Sequence, residues 1–192
     1  MLYIPEVPGV YRILGIDPGT NTLGVAIIDL DLVNKETSLI MATTIHGGKN
    51  SKNFPSISDV HGDRRAKLFA HQKSIRYILE QYRPNSIISE SPYMGKFANA
   101  FEALVECLMA IRDEVYNYDH SITLETVDPP TAKKAVGAPG RGGDKSAVRD
   151  AVLKLQELKN KTGSSLGVLD EHTIDAIAVA YYKLQLCSKD FI

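Results

Sequence analysis

The chain has 192 residues, of which 44% are hydrophobic and 23% are charged, and its formal net charge is −1. This composition is typical of a globular protein, and the length predicts one domain over 1–192 with an N-terminal extension at 1–11. No apolar run approaches the roughly 20 residues of a membrane span, and the first residues do not resemble a secretory signal. The sequence therefore predicts a cytoplasmic protein without membrane contact, in which Cys107 and Cys187 are buried thiols.

The first part of the chain predicts an antiparallel meander. Apolar, β-branched runs bounded by turn residues predict strands over 11–17, 22–29 and 37–45. The stretch 47–58 is rich in Gly, Lys, Asn, Ser and Pro, and this composition predicts a loop.

The rest of the chain alternates helices with short strands. Apolar residues at helical spacing predict helices over 59–82, 97–116, 131–136, 144–160 and 170–187. Two short apolar runs, 85–90 and 121–127, predict the fourth and fifth strands. The order predicts an α/β fold whose mixed five-stranded sheet has three antiparallel strands, then parallel crossovers, and helices on both faces.

Three carboxylates are candidates for one metal site. Asp17 and Glu90 end apolar strands that can be neighbours, and Asp175 lies near the start of the last helix. Taken singly, each has an ordinary structural explanation: a turn residue, an exposed strand end and a first-turn acid that favours the helix dipole. Together they predict a site for divalent cations, best suited to Mg²⁺, and two such ions about 4 Å apart can promote phosphodiester cleavage.

His172 belongs to the same candidate site. It precedes Asp175 by three residues, so the two side chains share a helix face. His172 could bind the second ion, transfer a proton near neutral pH, or be a simple surface histidine.

The segment 131–161 is locally basic. It has a net charge of +5, which suits either a surface that contacts phosphates or a solvated helix face. Its basic residues are Lys133, Lys134, Arg141, Lys145, Arg149, Lys154, Lys159 and Lys161.

Four stretches closely resemble, in order and at similar spacing, the motifs of RuvC-type Holliday junction resolvases of the RNase H-like superfamily. They are ILGIDPGTNTLG at 13–24, ISESPY at 88–93, PTAKKAV at 130–136 followed by a glycine loop and DK at 144–145, and HTIDAIAVA at 172–180. The resemblance covers most of 14–182. The first dozen residues and the stretch 37–59 look longer than in typical cellular members, as in a phage-like relative.

The resemblance implies a homodimeric, magnesium-dependent nuclease that cuts two opposed strands of a four-way DNA junction and leaves 5′-phosphate and 3′-hydroxyl ends. Asp17, Glu90 and Asp175 would bind the metal, two Mg²⁺ per site with Mn²⁺ as a substitute. His172 falls where many members carry a further Asp. Lys145 would stabilise phosphate charge beside the ions. Tyr93 falls where the family places an aromatic that stacks on a base, with a tyrosine packed under a loop as the alternative, and Lys133 would contact the DNA backbone. Lys134, Arg141 and Arg149 of the basic segment are further expected DNA contacts. The sequence does not identify a branch-migration motor.

The predicted helix 97–116 is apolar on more than one face, so it is expected to pack on the sheet and on a second subunit. The alternative is a helix that is central in the monomer core. The residues expected at the interface are Phe101, Leu104, Val105, Leu108 and Ile111.

Parts of the sequence are also compatible with four functions other than junction cleavage. GIDPGTNTLG also resembles the phosphate-binding hairpin of actin-like phosphotransferases, but no second hairpin of this kind occurs. GRGGDKS resembles a P-loop, but Asp144 stands where a glycine is needed. A junction-binding module without activity would not need the three carboxylates. Another RNase H-like nuclease, acting on flaps or RNA–DNA hybrids, remains open because the chemistry is shared.

Overall fold

The structure, a computed structural model, describes residues 9–95, 97–140 and 146–191, without the side chains of 189–191. Its six strands are β1 (Val10–Asp17), β2 (Thr22–Asp31), β3 (Thr37–His46), β4 (Ser86–Glu90), β5 (Leu124–Val127) and β6 (Leu158–Asn160). Its seven α-helices are α1 (Gly47–Asn50), α2 (Pro55–His61), α3 (Asp63–Tyr82), α4 (Ala98–Tyr118), α5 (Pro129–Ala135), α6 (Ser146–Leu153) and α7 (Glu171–Phe191).

The strands form one mixed sheet in the order β5-β4-β1-β2-β3-β6. β1, β2 and β3 pair antiparallel, as a meander does, while β4 lies parallel to β1 and β5 lies parallel to β4. This arrangement confirms the predicted α/β class and the neighbouring positions of β1 and β4.

The prediction of five strands was one short. A helix was expected to continue to residue 160, but α6 ends at Leu153 and β6 pairs in parallel with Thr37–Leu39 at the outer edge of β3. Leu158 is buried there, and Lys159 forms an ion pair of 2.5 Å with Glu36. The apolar spacing was compatible with a longer helix and with a short strand. The strand forms because the outer edge of β3 is available for pairing.

The stretch predicted as a loop after β3 is helical. It contains α1, a 3-10 turn at Ser51–Asn53 and α2, which begins with Pro55 at its first position. The long helix expected from residue 59 begins instead at Asp63, because Gly62 has a φ of +83° that ends α2.

Two apolar layers enclose the sheet. Alternation along β1 places Ile13 in the layer of α5, α6 and α7, and Leu14 in the layer of α3 and α4. Cys107 and Cys187 are buried thiols, as predicted. No helix in the described part of the chain combines the length and apolar character that crossing a membrane requires.

Candidate active site

Asp17 and Glu90 lie side by side at one end of the sheet. β1 and β4 are parallel, and their last matched pair is Ile16 with Ser89. The next residue of each strand is the carboxylate, so the two acids follow on strands about 5 Å apart. Both are partly buried at the edge where the strands end.

α7 brings the other two candidates to the same edge because two glycines let it rest on the strands. A Cβ at Gly15 would lie 2.5 Å from the carbonyl oxygen of Ala176, and one at Gly24 would lie 2.1 Å from that of His172. Real side chains do not approach so closely. The helix backbone is therefore in contact with the strand backbone, and its first turns reach Asp17.

His172 is fixed through both ring nitrogens. Its Nδ1 lies 2.9 Å from Oδ2 of Asp17, and its Nε2 lies 2.8 Å from Oγ1 of Thr22. The bond to a carboxylate requires a proton on Nδ1, so the Thr22 hydroxyl donates to Nε2 when the ring is neutral. The hydrogen bond to Asp17 raises the pKa of His172 despite its partial burial.

The other two carboxylates lie in a field of like charge. Burial, and then the charges of Asp17 and Asp175, raise the pKa of Glu90 to about 8. Burial and the charge of Asp17 raise the pKa of Asp175 to about 6. The Lys133 ammonium lowers both values, which places a cation of α5 close to the pair.

This donor set fits a divalent cation in its chemistry, because neighbouring carboxylates that repel each other are stabilised by a shared positive ion. It does not form a ready-made cage: across 9–95, 97–140 and 146–191, no three His, Cys, Asp or Glu side chains could hold an ion as they stand. Asp17 is turned toward His172. Binding a cation therefore requires these side chains to turn.

The raised pKa values predict how the stability of metal-free protein depends on pH. A folded-state pKa of about 8 for Glu90, against 4.5 for the free group, makes the fold favour the protonated acid. This stabilisation is complete below the unfolded pKa and is lost as the pH rises through about 8. The melting temperature in a chelator should therefore fall between about pH 5 and about pH 8.

Glu90→Gln should flatten that fall, and Mg²⁺ or Mn²⁺ should raise the melting temperature more at the upper pH than at the lower. Differential scanning fluorimetry measures both effects. Equal melting temperatures across the range, with no effect of the cations, would contradict the charge repulsion at this edge.

The turn after Asp17 is held from the α3 side. Nε2 of His71, a buried residue, lies 3.1 Å from the carbonyl oxygen of Thr20. Nζ of Lys67 donates to Oδ1 of Asn21 at 2.9 Å, and the amide of Gly47 donates to the carbonyl oxygen of Asn21 at 2.9 Å. These contacts position the β1–β2 hairpin that carries Asp17 and Thr22.

The residues predicted to contact DNA differ in exposure and in their distance from the carboxylates. Lys133 lies near the carboxylates, Lys134 is exposed on the same helix, and Tyr93 is 67% exposed on the loop after β4. Arg149 instead donates to the carbonyl oxygens of Gly167 and Leu169, at 2.8 and 2.5 Å, and fixes the loop before α7. Arg141, Asp144 and Lys145 lie outside the described residues. All these DNA contacts remain predictions.

Sequence reasoning missed several residues of the site. Thr22 orients His172, and Asp170 accepts from the amide of Thr173 at 2.9 Å and thereby caps α7. Gly15 and Gly24 set the distance of α7. A signal for the glycines was present in the sequence, because alanine alternates with Ile177 and Val179 over Ala176–Ala180 and allows α7 to pack closely on a strand.

The curated proteins similar to this chain in sequence share one name. The chain is 28% identical to "Crossover junction endodeoxyribonuclease RuvC" of Xanthomonas oryzae over 177 residues, 88% of this chain and 84% of that protein. It is 24% identical to the protein of the same name from Cytophaga hutchinsonii, with 88% and 75% covered. No protein-family model matches.

Solved structures show the same fold. RuvC of Thermus thermophilus in complex with a Holliday junction substrate superposes with a TM-score of 0.67 at 16% identity, covering 94% of this chain and 97% of that one. The yeast mitochondrial Holliday junction resolvase gives a TM-score of 0.64 at 13% identity, with 98% and 87% covered. In sequence the chain is similar to proteins named crossover junction endodeoxyribonuclease RuvC, and in fold it is similar to solved Holliday junction resolvases.

Proposed function

We propose that this protein is a structure-selective DNA endonuclease that resolves four-way junctions by metal-dependent hydrolysis, leaving 5′-phosphate and 3′-hydroxyl ends. The observation that carries the proposal is the convergence of Asp17, Glu90, His172 and Asp175 on one end of the sheet. The names of the relatives, crossover junction endodeoxyribonuclease and Holliday junction resolvase, support the substrate.

Asp17, Glu90 and Asp175 would hold the metal, and their oxygen ligands favour Mg²⁺, with Mn²⁺ as a substitute. Two bound ions would activate the attacking water and stabilise the leaving oxygen. The chain's own contribution is to keep these acids close despite their repulsion, by burying them between α7 and the strands. Lys133 supplies positive charge beside them, and Lys145 is proposed to do so near the scissile phosphate.

His172 can hold or move a proton at this edge, because it bonds to Asp17 through Nδ1 and to Thr22 through Nε2. We expect His172→Ala to slow junction cleavage by about a hundredfold or more, the range of a general acid or base. His172→Asp should retain part of the rate, since a carboxylate also binds the cation. Single-turnover cleavage measures both, and unchanged rates in both variants would make His172 a surface residue without a catalytic role.

A substrate panel tests the function. Four-way junction, flap, RNA–DNA hybrid and linear duplex are incubated with the protein in Mg²⁺, and products are mapped on denaturing gels. Paired nicks on opposed strands of the junction alone are the expected result. Preferred cutting of flaps or hybrids would assign the chain to another RNase H-like nuclease activity, and binding without cutting would make it a junction-binding module.

Paired nicks require two sites related by two-fold symmetry, so we propose a homodimer. The exposed face of α4 is the candidate interface, but it is shifted from the predicted one. Leu108 and Ile111 are buried in the monomer core between α4 and the sheet, because they face α3 and β1. The apolar residues that remain at the surface at helical spacing are Phe97, Phe101, Val105, Met109 and Tyr116.

Two charges on that face should separate the subunits. Val105 and Met109 are 36% and 43% exposed, so Val105→Glu with Met109→Glu should spare the monomer core and disrupt the dimer. We expect sedimentation to show a monomer that makes single nicks rather than paired ones. Val33→Glu with Val60→Glu, which adds the same two charges at residues 78% and 74% exposed elsewhere, is the control. A wild-type monomer both with and without junction DNA would remove the resolvase assignment.

A further inference from the structure

A pocket of about 500 Å³ lies on the α3 side of the sheet, away from the carboxylates. Ile45 of β3 and Ile78 of α3 are its buried floor, and Phe54 and the 62% exposed Tyr77 are aromatic walls. The helical segment between β3 and α3 closes one side. The pocket is therefore built by β3, α3 and the segment that connects them.

Polar groups line the more exposed side of this pocket. Asn50 and Asn53 contribute carboxamides that both donate and accept, and Lys73 contributes an ammonium. That ammonium lies 5.1 Å from the centroid of the Phe69 ring, which packs edge-on against Phe54 at 5.0 Å. An apolar slot with aromatic walls, amide groups and one cation matches a planar heterocycle that carries an anionic group.

The charge around the pocket favours an anion. The segment 47–58 contains Lys49 and Lys52 and no acidic residue. Lys49 and Lys52 are the sequence neighbours of the lining residues Asn50 and Asn53, and the described lining contains Lys73 but no acidic residue. The pocket therefore favours an anionic group, such as a phosphate, over a cationic or neutral one. Aromatic rings stack on bases of any sequence, and amide groups pair with base edges.

We propose that this pocket binds one nucleotide of a single-stranded DNA segment, with the base between Phe54 and Tyr77 and the phosphate beside Lys73. The inference rests on the proposed function, since opening of a four-way junction at its crossover would supply unpaired bases beside the cleavage site. It assigns to the chain a second DNA site that is separate from the cleavage site.

The two sites lie at the same end of the sheet on opposite faces. Asp17 of β1 pairs with Gly24 of β2, and Gly24 pairs with Thr44 of β3. Thr44 is therefore two strands, or roughly 10 Å, from Asp17, and Ile45 is the next residue along β3. Thr44 points toward α7, where it contacts Asp170, and Ile45 points into the pocket. A strand leaving the carboxylates would cross the end of β3, where Lys49 lies, to reach the pocket.

Fluorescence anisotropy in a chelator tests the proposal without cleavage. The probes are a labelled all-thymine oligonucleotide and an abasic strand of the same length, which keeps the phosphates but lacks bases. We expect the thymine strand to bind about tenfold more tightly, the contribution of a stacked base. In a Tyr93→Ala background, which removes the other aromatic expected to stack on a base, Tyr77→Ala should abolish the difference and Tyr77→Phe should retain it. Thr43→Trp, which fills the pocket from an exposed position on β3, should also abolish it.

Equal binding of the two strands by the wild-type protein would overturn the inference, as would a base preference that survives both Tyr77→Ala and Thr43→Trp. Displacement of the strand by thymidine monophosphate would extend the site to free nucleotides, and its failure would restrict the site to strands. Junction cutting is scored separately in Mg²⁺. Cutting without any base preference overturns this inference alone, whereas base preference without cutting overturns the proposed function.

Discussion

Asp17→Asn is expected to lower junction cleavage by about a thousandfold or more, because a lost cation removes several kcal/mol of transition-state stabilisation and each 1.4 kcal/mol is about a factor of ten. Asp17 is also the group that the other candidates share: it bonds to His172, and its charge raises the pKa of Glu90 and of Asp175. The measurement is single-turnover cleavage in Mg²⁺.

Junction binding by Asp17→Asn should stay within about threefold of wild type, since affinity for DNA comes mainly from phosphate contacts made by basic residues. Asp59→Asn removes the same charge from an exposed site and is the matched control. Cleavage by Asp17→Asn at the wild-type rate would remove the metal-site assignment, whatever the substrate proves to be.

Gly24→Ala should damage both stability and cleavage. A methyl group on β2 would lie 2.1 Å from the carbonyl oxygen and 2.5 Å from the carbonyl carbon of His172, and both are backbone atoms that cannot turn aside. The strand or α7 must therefore shift, at a cost of about 3 kcal/mol or more. For a chain of this length, that corresponds to a fall of roughly 10 °C in melting temperature.

The control for Gly24→Ala is Gly48→Ala. A Cβ at Gly48 would meet only Cε of Lys67, at the ordinary distance of 3.9 Å. Its melting temperature should remain close to that of the wild type. Gly24→Ala could instead have the same melting temperature as Gly48→Ala and cleave at the wild-type rate. In that case the position of α7 does not depend on the close contact at Gly24, and this contact does not explain how His172 reaches Asp17.

The strand ends were the most predictable part of the site. Asp17 and Glu90 each follow an apolar strand, and a rule of sheet topology was enough to place them together. The bond between His172 and Asp17 was beyond prediction from local sequence, because the two residues are 155 positions apart. Their contact depends on where α7 settles, and Gly15 and Gly24 control that position.

Elements at the edge of the sheet were the hardest to predict. The three residues of β6 show no alternation, and they form a strand only because β3 offers an unpaired edge beside them. Arg149 remains a predicted DNA contact, and its guanidinium also donates to two backbone carbonyls of the loop before α7, which its sequence position did not reveal. A basic residue in a sequence can contact a phosphate or donate hydrogen bonds to the carbonyl groups of a nearby loop, and its charge alone does not show which.

The apolar periodicity of α4 predicted a larger apolar surface than the monomer core needs. It did not show which of these residues are buried in the monomer and which remain at the surface. Leu108 and Ile111 differ from Val105 and Met109 by a rotation around the helix, and only the position of α3 decides which pair is covered. The monomer structure therefore removes Leu108 and Ile111 from the candidate interface and leaves Phe101 and Val105 in it.

The position of α7 also has a consequence for synthesis of the chain. Residues 17 and 172 must meet across a separation of 155, so closing this contact carries a high entropic cost and comes late in folding. A nascent chain that has emerged through β5 already displays Asp17 and Glu90 but lacks the helix that buries them. Such a chain is expected to be unable to nick DNA, and the nuclease would be switched on only when α7 leaves the ribosome and docks.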